Sequence, residues 1–163
     1  VRRVDRLAEP GAGLAIVYVW LAAASASIYP QGIAYFNEWA GGPDQGWKYL
    51  VDSNLDWGQN LPELADYVRR QRLDRVNLCY FGADRLDRYG IGDRVVQWPP
   101  PWGQWASETR LLPEPGVWAV SASFLTGHMF DEEYRDYYCY FRERRPDAKA
   151  GYSIFIYRVP SGR

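Results

Sequence analysis

The chain has 163 residues, the length of one ordinary domain, and is long enough to bury a core. Its 19 basic and 20 acidic residues nearly cancel, so no basic excess points to nucleic acid, which we exclude as a partner. Aromatic residues make up 17% of the chain, a content that suits a packed core, a membrane interface or a sugar-binding surface.

The N-terminal region contains a long uncharged segment. From Gly13 to Pro30 about 17 residues are apolar or small, which is near the lower limit for crossing a bilayer. Basic residues precede this run, and the positive-inside rule places that flank in the cytoplasm. They are Arg2, Arg3 and Arg6. We therefore predict a transmembrane helix within residues 1–29, running from Gly13 to about Ser27, with the rest of the chain outside the cytoplasm.

Two other interpretations of this run remain open. A signal peptide also has a basic start, an apolar stretch and small residues at its cleavage site, but Asp5, Glu9 and Pro10 dilute the basic start here. A run of this length is also found in buried helices of soluble domains. The membrane helix is the favoured interpretation, and we expect it to be the last such helix of a longer protein.

Residues 30–46 are predicted to lie at the membrane surface. Pro30 ends the apolar helix, since a proline inside a helix removes a hydrogen bond. A short amphipathic helix is predicted next, and the Gly41-Gly42-Pro43 sequence stops it. Its apolar residues are Ile33, Ala34, Phe36 and Trp39. Aromatic residues of this kind settle at the membrane interface.

Residues 47–163 are predicted to form an extracytoplasmic α/β domain, because strands and helices alternate there. The predicted elements are strand WKYLVD, helix LPELADYVRRQR, strands RVNLCYFG and GVWAVSASF, helix DEEYRDYYCYFRERR and strand GYSIFIYRV. The last strand is apolar on both faces, as in a sheet covered on both sides. The order predicts a mostly parallel sheet with flanking helices.

A polar stretch, DSNLDWGQN, joins the first predicted strand to the first predicted helix of this domain. Its end has a structural explanation: Asn60 and Glu63 have the spacing of a capping box, and Pro62 suits the first helical turn. Short polar side chains also satisfy backbone groups in turns. A purely structural role for the stretch is therefore one interpretation.

A binding role is the other interpretation. Ligands of open α/β sheets bind at the carboxyl ends of strands, where this stretch is predicted to lie. We expect its polar side chains to converge there, with the tryptophan as an apolar wall. The candidate binding residues are Asp52, Asn54, Asp56, Trp57 and Gln59. The sequence indicates no catalytic residue.

A calcium loop is the less favoured alternative for the same stretch. Asp52, Asn54, Asp56 and Glu63 fall at positions 1, 3, 5 and 12 of such a loop. Its sixth position requires glycine, and Trp57 occupies it. We therefore expect no cofactor and no metal site in this chain, with a divalent cation only as the weaker alternative.

Other candidate chemistry is sparse. His128 is the only histidine, so we expect a loop or packing residue rather than a catalyst. In WPPPWGQW, Trp98, Trp102 and Trp105 could stack on sugar rings, or a proline-stiffened loop could place the rings over the core. Cys79 and Cys139 stand among apolar neighbours, which favours buried free thiols over a single disulfide bridge.

Several blocks of the chain, in this order and spacing, resemble a known family. They are IYPQGIAYFNEWAGGPDQGWKYLVDSNLDWGQNL, CYFGADRLDRYGI, PGVWAVSASFLTG and KAGYSIFIYRV. The family is the bacterial membrane glycosyltransferases that are similar to the protein mannosyltransferase superfamily and use polyprenyl-phosphate-linked sugars. The resemblance runs from Trp20 to Val159 and is most specific in DSNLDWGQ, although family members usually carry Asp at the position of Asn60.

The resemblance implies the C-terminal part of an enzyme of the bacterial inner membrane. Members carry their catalytic carboxylate in an early extracytoplasmic loop, so this chain alone is expected to be inactive. It would supply a soluble domain that binds a polyprenyl-phosphate sugar or a glycan acceptor beside the membrane lipid. The alternative is a noncatalytic extracytoplasmic scaffold domain that binds glycan or protein.

Overall fold

A computed structural model describes residues 10–102 and 108–161. Its helices are α1 Pro10–Ile28, α2 Leu61–Arg70, α3 Ala122–Leu125 and α4 Cys139–Arg142. Its strands are β1 Val76–Cys79, β2 Val95–Gln97, β3 Gly116–Ser121, β4 Ala148–Ala150 and β5 Ile154–Val159. Short 3-10 turns form much of the rest. The predictions made for Arg2, Arg3, Arg6 and Trp105 fall outside the described residues.

The five strands form one mixed sheet in the order β2-β1-β3-β5-β4. Strand β1 is parallel to β2 and β3, whereas β5 is antiparallel to β3 and β4. The α/β class is therefore confirmed, and the prediction of a mostly parallel sheet is wrong. The reason is the short edge strand β4, because its tight connection into β5 allows only an antiparallel pair.

One face of the sheet is aliphatic and is covered by α2. Leu78, Ala119 and Ile156 lie side by side across three strands and are fully buried. The apolar stripe predicted for α2 packs on this face. Its buried residues are Leu61, Leu64, Ala65 and Val68. Each leucine buried in this way stabilises the fold by about 1.5–3 kcal/mol.

The other face of the sheet is aromatic. Trp118 of β3 and Phe155 of β5 alternate with the aliphatic row, as the two-residue period of a strand requires. Phe124 stacks on Tyr138 at an angle of 9°, with ring centroids 5.6 Å apart. The high aromatic content of the chain is therefore used in part to build this layer.

Helix α1 lies outside the core. Among the described residues, α1 is the one helix that is long enough and apolar enough to cross a membrane. Only 6% of its Gly11–Ile28 span is buried, so the alternative of a buried soluble helix does not hold within this chain. Its last residue, Ile28, is the point where it packs against the domain.

The segment after α1 is a series of 3-10 turns, so neither the amphipathic helix nor the strand WKYLVD predicted there is present. The turns are Gly32–Ala34, Glu38–Ala40, Pro43–Lys48 and Asp52–Asn54. The strand is missing because its backbone forms local hydrogen bonds. The Tyr49 and Leu50 amides both donate to the Gly46 carbonyl, at 2.9 and 3.1 Å, as in a turn rather than a strand.

The helix predicted in DEEYRDYYCYFRERR is also interrupted. The structure has a 3-10 turn at Glu132–Tyr134 and the four-residue helix α4, with turns between them. The Leu111 amide donates to the Tyr137 carbonyl at 2.9 Å, and the Arg142 side chain donates to the Arg135 carbonyl at 3.2 Å, so two carbonyls of the predicted helix bond to groups other than helical amides. These tertiary contacts override the local helix preference.

Candidate functional site at the carboxyl edge of the sheet

The carboxyl ends of β1 and β3 meet the start of β5 at one edge of the sheet. The Ser121 hydroxyl accepts a hydrogen bond from the Phe81 amide at 2.8 Å, and the Ala122 amide donates to the Ser153 carbonyl at 2.7 Å. The chain passes from β1 to β2 on one side and returns to β3 on the other. In open sheets, such a reversal opens a crevice where ligands bind.

The DSNLDWGQN stretch covers this crevice, although no strand leads into it. The Asp52 amide donates to the Ser123 hydroxyl at 3.2 Å, just past the end of β3. Asp52 has a φ of +60°, a left-handed backbone that Asp adopts more readily than most residues. The predicted position at the strand ends is therefore reached by a loop that crosses the edge.

Asp56 is the buried centre of the stretch. Its Oδ1 accepts from the Gly58 amide at 2.8 Å and from the Ser153 hydroxyl at 3.0 Å. Its Oδ2 is buried without a hydrogen-bond partner. Burial raises the pKa of Asp56 to about 6, while the bonds from Gly58 and Ser153 and the nearby Ser121 hydroxyl oppose the rise.

Asn60 and Ser153 extend this buried cluster. The Ser153 hydroxyl lies 2.9 Å from Asn60 Oδ1 and 3.0 Å from Asp56 Oδ1, and its single proton serves one of them at a time. Protonated Asp56 can donate to Ser153, which then donates to Asn60. The raised pKa of Asp56 is consistent with this proton arrangement.

The capping box predicted at α2 is wrong in its bonding. Asn60 occupies the N-cap position without capping the helix through its side chain. Its Nδ2 donates to Gln31 Oε1 at 2.6 Å, and Gln31 Nε2 donates to Glu63. Both predicted capping side chains are thus used to hold the segment that follows α1. We call Asp56, Asn60, Ser153 and Gln31 the polar corner.

The other candidate binding residues are placed differently from Asp56. Asp52 and Asn54 are exposed, and the Trp57 side chain is 62% exposed, with its Nε1 donating to the Ser53 carbonyl. Gln59 closes the loop, since it accepts from the Trp57 amide and donates to the Leu55 carbonyl. The five side chains do not share one surface, and their role in binding stays a prediction.

An open cleft of about 760 Å³ adjoins the polar corner at the ends of β1 and β2. Tyr80 links the two, because its hydroxyl donates to the Gly58 carbonyl at 3.3 Å and its ring lines the cleft. Burial, and then the charge of Asp56, raises the pKa of Tyr80 to about 12, so its hydroxyl stays protonated. We call this space the tyrosine cleft.

The tyrosine cleft is lined by both polar and aromatic side chains. Its polar side chains are Tyr80, Asp84, Arg85, Asp87 and Gln97, and its rim includes Trp98, Pro99 and Pro100. The Tyr89 hydroxyl donates to Asp84 and, with the Arg85 amide, lowers the pKa of that carboxyl. A carboxylate with ordered partners keeps a fixed position for accepting hydrogen bonds.

Sequence reasoning missed most of this cleft. Residues 83–94 follow the predicted strand RVNLCYFG, and no helix or strand is predicted for them. Their position directly after the apolar strand β1 was the available indication, because that is where ligand-binding loops start in such sheets. Of the aromatic residues proposed for sugar stacking, Trp98 lines the cleft, whereas Trp102 lies edge-on to Phe124.

Within the described residues, no three His, Cys, Asp or Glu side chains are grouped closely enough to hold a metal ion together. Cys79 and Cys139 are both free, and burial raises the pKa of the Cys79 thiol to about 12. A buried thiol of this kind is unreactive.

No protein-family model, curated protein or solved structure matches the chain. The geometry of the site therefore carries the argument for a function, and the family resemblance stays a prediction.

Proposed function

We propose that the chain is the C-terminal part of an integral-membrane glycosyltransferase that transfers a sugar from a polyprenyl-phosphate carrier. It would reside in the bacterial inner membrane, with residues 47–163 on the extracytoplasmic side. One observation carries the proposal: an exposed apolar helix is joined to an α/β domain with a polar cleft at the ends of its parallel strands.

The exposure of α1 supports membrane attachment. Large apolar side chains point away from the domain along the helix, including Ile16 and Val19, which are 70% and 69% exposed. Contiguous apolar surface of this extent is unfavourable in water and marks a membrane or a protein contact. A signal sequence would share this composition, so attachment of the intact chain is a direct test.

The tyrosine cleft supports a role in binding sugar. Asp87 and Gln97 offer planar polar groups that pair with neighbouring hydroxyls, and Trp98 offers an aromatic surface for a sugar ring. Its volume of about 760 Å³ falls in the range of small-molecule sites. We infer that the cleft contacts the sugar of the donor or a glycan acceptor.

The chain alone is proposed to bind rather than to catalyse. The resemblance places the catalytic carboxylate in an earlier extracytoplasmic loop of the longer enzyme. The buried carboxyl of Asp56 has no exposed surface, so it cannot touch a substrate in this arrangement. Purified chain is therefore expected to transfer no sugar from its carrier.

A noncatalytic scaffold domain is the second candidate. The observation that favours it is the polar corner, because the most polar stretch of the sequence uses Asp56, Gln59 and Asn60 for internal hydrogen bonds. In that case the domain would hold glycan or a partner protein, and the polar corner would serve stability alone.

The decisive experiment measures sugar transfer by membranes that contain the longer protein with altered clefts. We expect the double variant Asp87→Asn, Gln97→Ala to reduce transfer from a labelled polyprenyl-phosphate sugar by about tenfold, the loss expected from two hydrogen bonds to ligand. The matched control is Asp74→Asn, Gln71→Ala, which removes similar groups outside the cleft. Equal activity of both variants would favour the scaffold domain.

Membrane attachment is tested separately by fractionating cells that express the chain. We expect it to stay with membranes after an alkaline carbonate wash and to need detergent for extraction. Recovery of the chain in the soluble fraction without detergent would reject attachment through α1.

A further inference from the structure

A second cleft, of about 630 Å³, opens beside α4 and β4. Its lining contains five basic side chains and one acidic side chain, Asp44, although the whole chain has a net charge of −1. The basic residues are Lys48, Arg142, Arg144, Arg145 and Lys149. We call this space the basic cleft. Such local excess of positive charge attracts anions irrespective of the overall balance.

Three of these cations are held in place by the surrounding structure. Arg142 pairs with Asp136 and donates to the Leu125 and Arg135 carbonyls. Lys149 pairs with Asp44 at 2.8 Å. The Arg144 guanidinium lies 3.7 Å from the centre of the Tyr140 ring. Their positions are set before any ligand arrives, which lowers the entropic cost of binding.

Two cations are left for a ligand. Lys48 and Arg145 are exposed, and within the described parts of the chain neither forms an ion pair, while the Lys48 ammonium lies 5.9 Å from the centre of the Trp47 ring. An arginine fork and a lysine ammonium together suit a phosphate group, because the fork bonds two of its oxygens and the ammonium adds a point charge.

The wall of the cleft continues into an apolar surface. Trp47 packs edge-on against Phe155 inside the lining, at 5.5 Å between ring centroids. Directly after Lys48, the side chains of Tyr49 and Leu50 are 62% and 47% exposed. A cation followed by exposed aromatic and aliphatic side chains is typical of residues at the surface of a bilayer.

We propose that the basic cleft binds the phosphate group of a lipid, with Lys48 and Arg145 as its main contacts. That the phosphate belongs to a lipid rests on the membrane attachment proposed above. That the ligand is a phosphate rests on the basic cleft alone. Basic clusters close to an apolar anchor recognise anionic lipid headgroups through the same combination of charge and apolar contact. A carrier lipid phosphate and a phospholipid headgroup share this chemistry.

The test uses the full chain in a neutral detergent and compares three probes. They are dihexanoyl phosphatidic acid, dihexanoyl phosphatidylcholine and inorganic phosphate, each titrated while Kd is measured by calorimetry. We expect phosphatidic acid to bind most tightly and its affinity to fall as salt is raised. The variant Lys48→Gln, Arg145→Gln should weaken it on the order of tenfold, since it removes the two unpaired charges nearest the ligand.

The matched control is Arg70→Gln, Arg75→Gln, which removes two exposed positive charges outside the basic cleft. It should bind phosphatidic acid like the unaltered chain, and the melting temperatures of both variants should show that they are folded. Equal loss in both variants would reject the basic cleft as the site.

The remaining outcomes separate the sources of the phosphate. Inorganic phosphate bound as tightly as phosphatidic acid would overturn the lipid assignment in favour of a soluble anion, and failure of all three probes to bind would overturn the site itself. Failure of the chain to attach to membranes, with phosphatidic acid still bound through Lys48 and Arg145, would reject the proposed function and leave this inference standing.

Discussion

At the carboxyl edge of the sheet, the polar groups around Asp56 are buried and bond to one another, whereas those around Asp84 line an open cleft. Asp56 and Asn60 of the first set come from the most conspicuous polar stretch of the sequence, whereas the second set comes mainly from the connection that follows β1. Buried polar groups must find internal partners, because an unpaired one costs about 1–3 kcal/mol. A dense polar motif is therefore a poor guide to the ligand-facing surface when a loop folds over the sheet edge.

The largest expected effect comes from filling the polar corner. Gly151 has a φ of +58°, and an added Cβ would lie 2.0 Å from Asn60 Nδ2. Gly151→Ala should lower the free energy of unfolding by about 3 kcal/mol, as the sum of backbone strain and a disrupted buried amide. Urea denaturation of the variant and the unaltered chain measures this change in the free energy of unfolding.

The matched control for that change is Gly90→Ala. Gly90 has a similar φ of +66°, but an added Cβ there would meet nothing within 4 Å. It should cost only the backbone strain, about 1 kcal/mol. Equal losses at the two glycines would show that the polar corner is more yielding than described.

The next effect is a pH dependence that Asp56 alone should produce. The folded state raises its pKa from 3.8 to about 6, so it binds the proton more tightly than the unfolded state and acid stabilises the fold through this group. The resulting stability is present below about pH 4 and is lost as the pH rises through about 6.

Asp56→Asn should remove this dependence. As the pH falls from about 7 to about 4, the stability of the unaltered chain should rise relative to the variant by on the order of 3 kcal/mol. Paired denaturation curves at several pH values measure the difference. Asp74→Asn, at an exposed position, controls for the loss of one charge. A difference that does not change with pH would contradict burial of the Asp56 carboxyl.

A smaller effect separates the two regions directly. Gln31→Ala leaves the buried Asn60 Nδ2 without its acceptor and should cost about 1–2 kcal/mol. Gln97→Ala, in the tyrosine cleft, should change stability by less than about 0.5 kcal/mol, because its side chain is exposed. Thermal denaturation of both variants measures the two losses of stability. A larger loss in Gln97→Ala than in Gln31→Ala would mean that the tyrosine cleft, and not the polar corner, stabilises this edge of the sheet.

The smallest effect is expected where the two regions meet. Tyr80→Phe removes a long 3.3 Å hydrogen bond to the Gly58 carbonyl from a half-buried hydroxyl. The loss should stay below about 1 kcal/mol. A loss above 2 kcal/mol by the same measurement would show that Tyr80 belongs to the buried corner rather than to the wall of the cleft.

The elements with clear hydrophobic periodicity were predictable. Helix α2 and strands β1, β3 and β5 were all expected from their patterns, and α1 from its uncharged run. Strands β2 and β4 were missed because each has three residues, too few to show a period. Because β4 was missed, the sheet was wrongly predicted to be mostly parallel, since the connection from β4 sets the antiparallel direction of β5.

The polar corner was predictable only in outline. Asn60 was expected at the start of α2 and is found there, but the partners of its side chain, Gln31 and Ser153, are 29 and 93 residues away in sequence. A capping box is a local pattern and cannot anticipate such distant competitors for the same amide.

The sequence by itself determined which segments are apolar and with what period, and therefore that an apolar helix precedes an α/β domain. Only the tertiary structure decided that Asp56 is buried while Asp84 lines a cleft, and that five basic side chains from residues 48 to 149 share one cavity. The physical reason is that local preference follows from neighbours along the chain. Burial, pKa and charge clustering follow from neighbours in space, and for these residues most of those neighbours are remote in sequence.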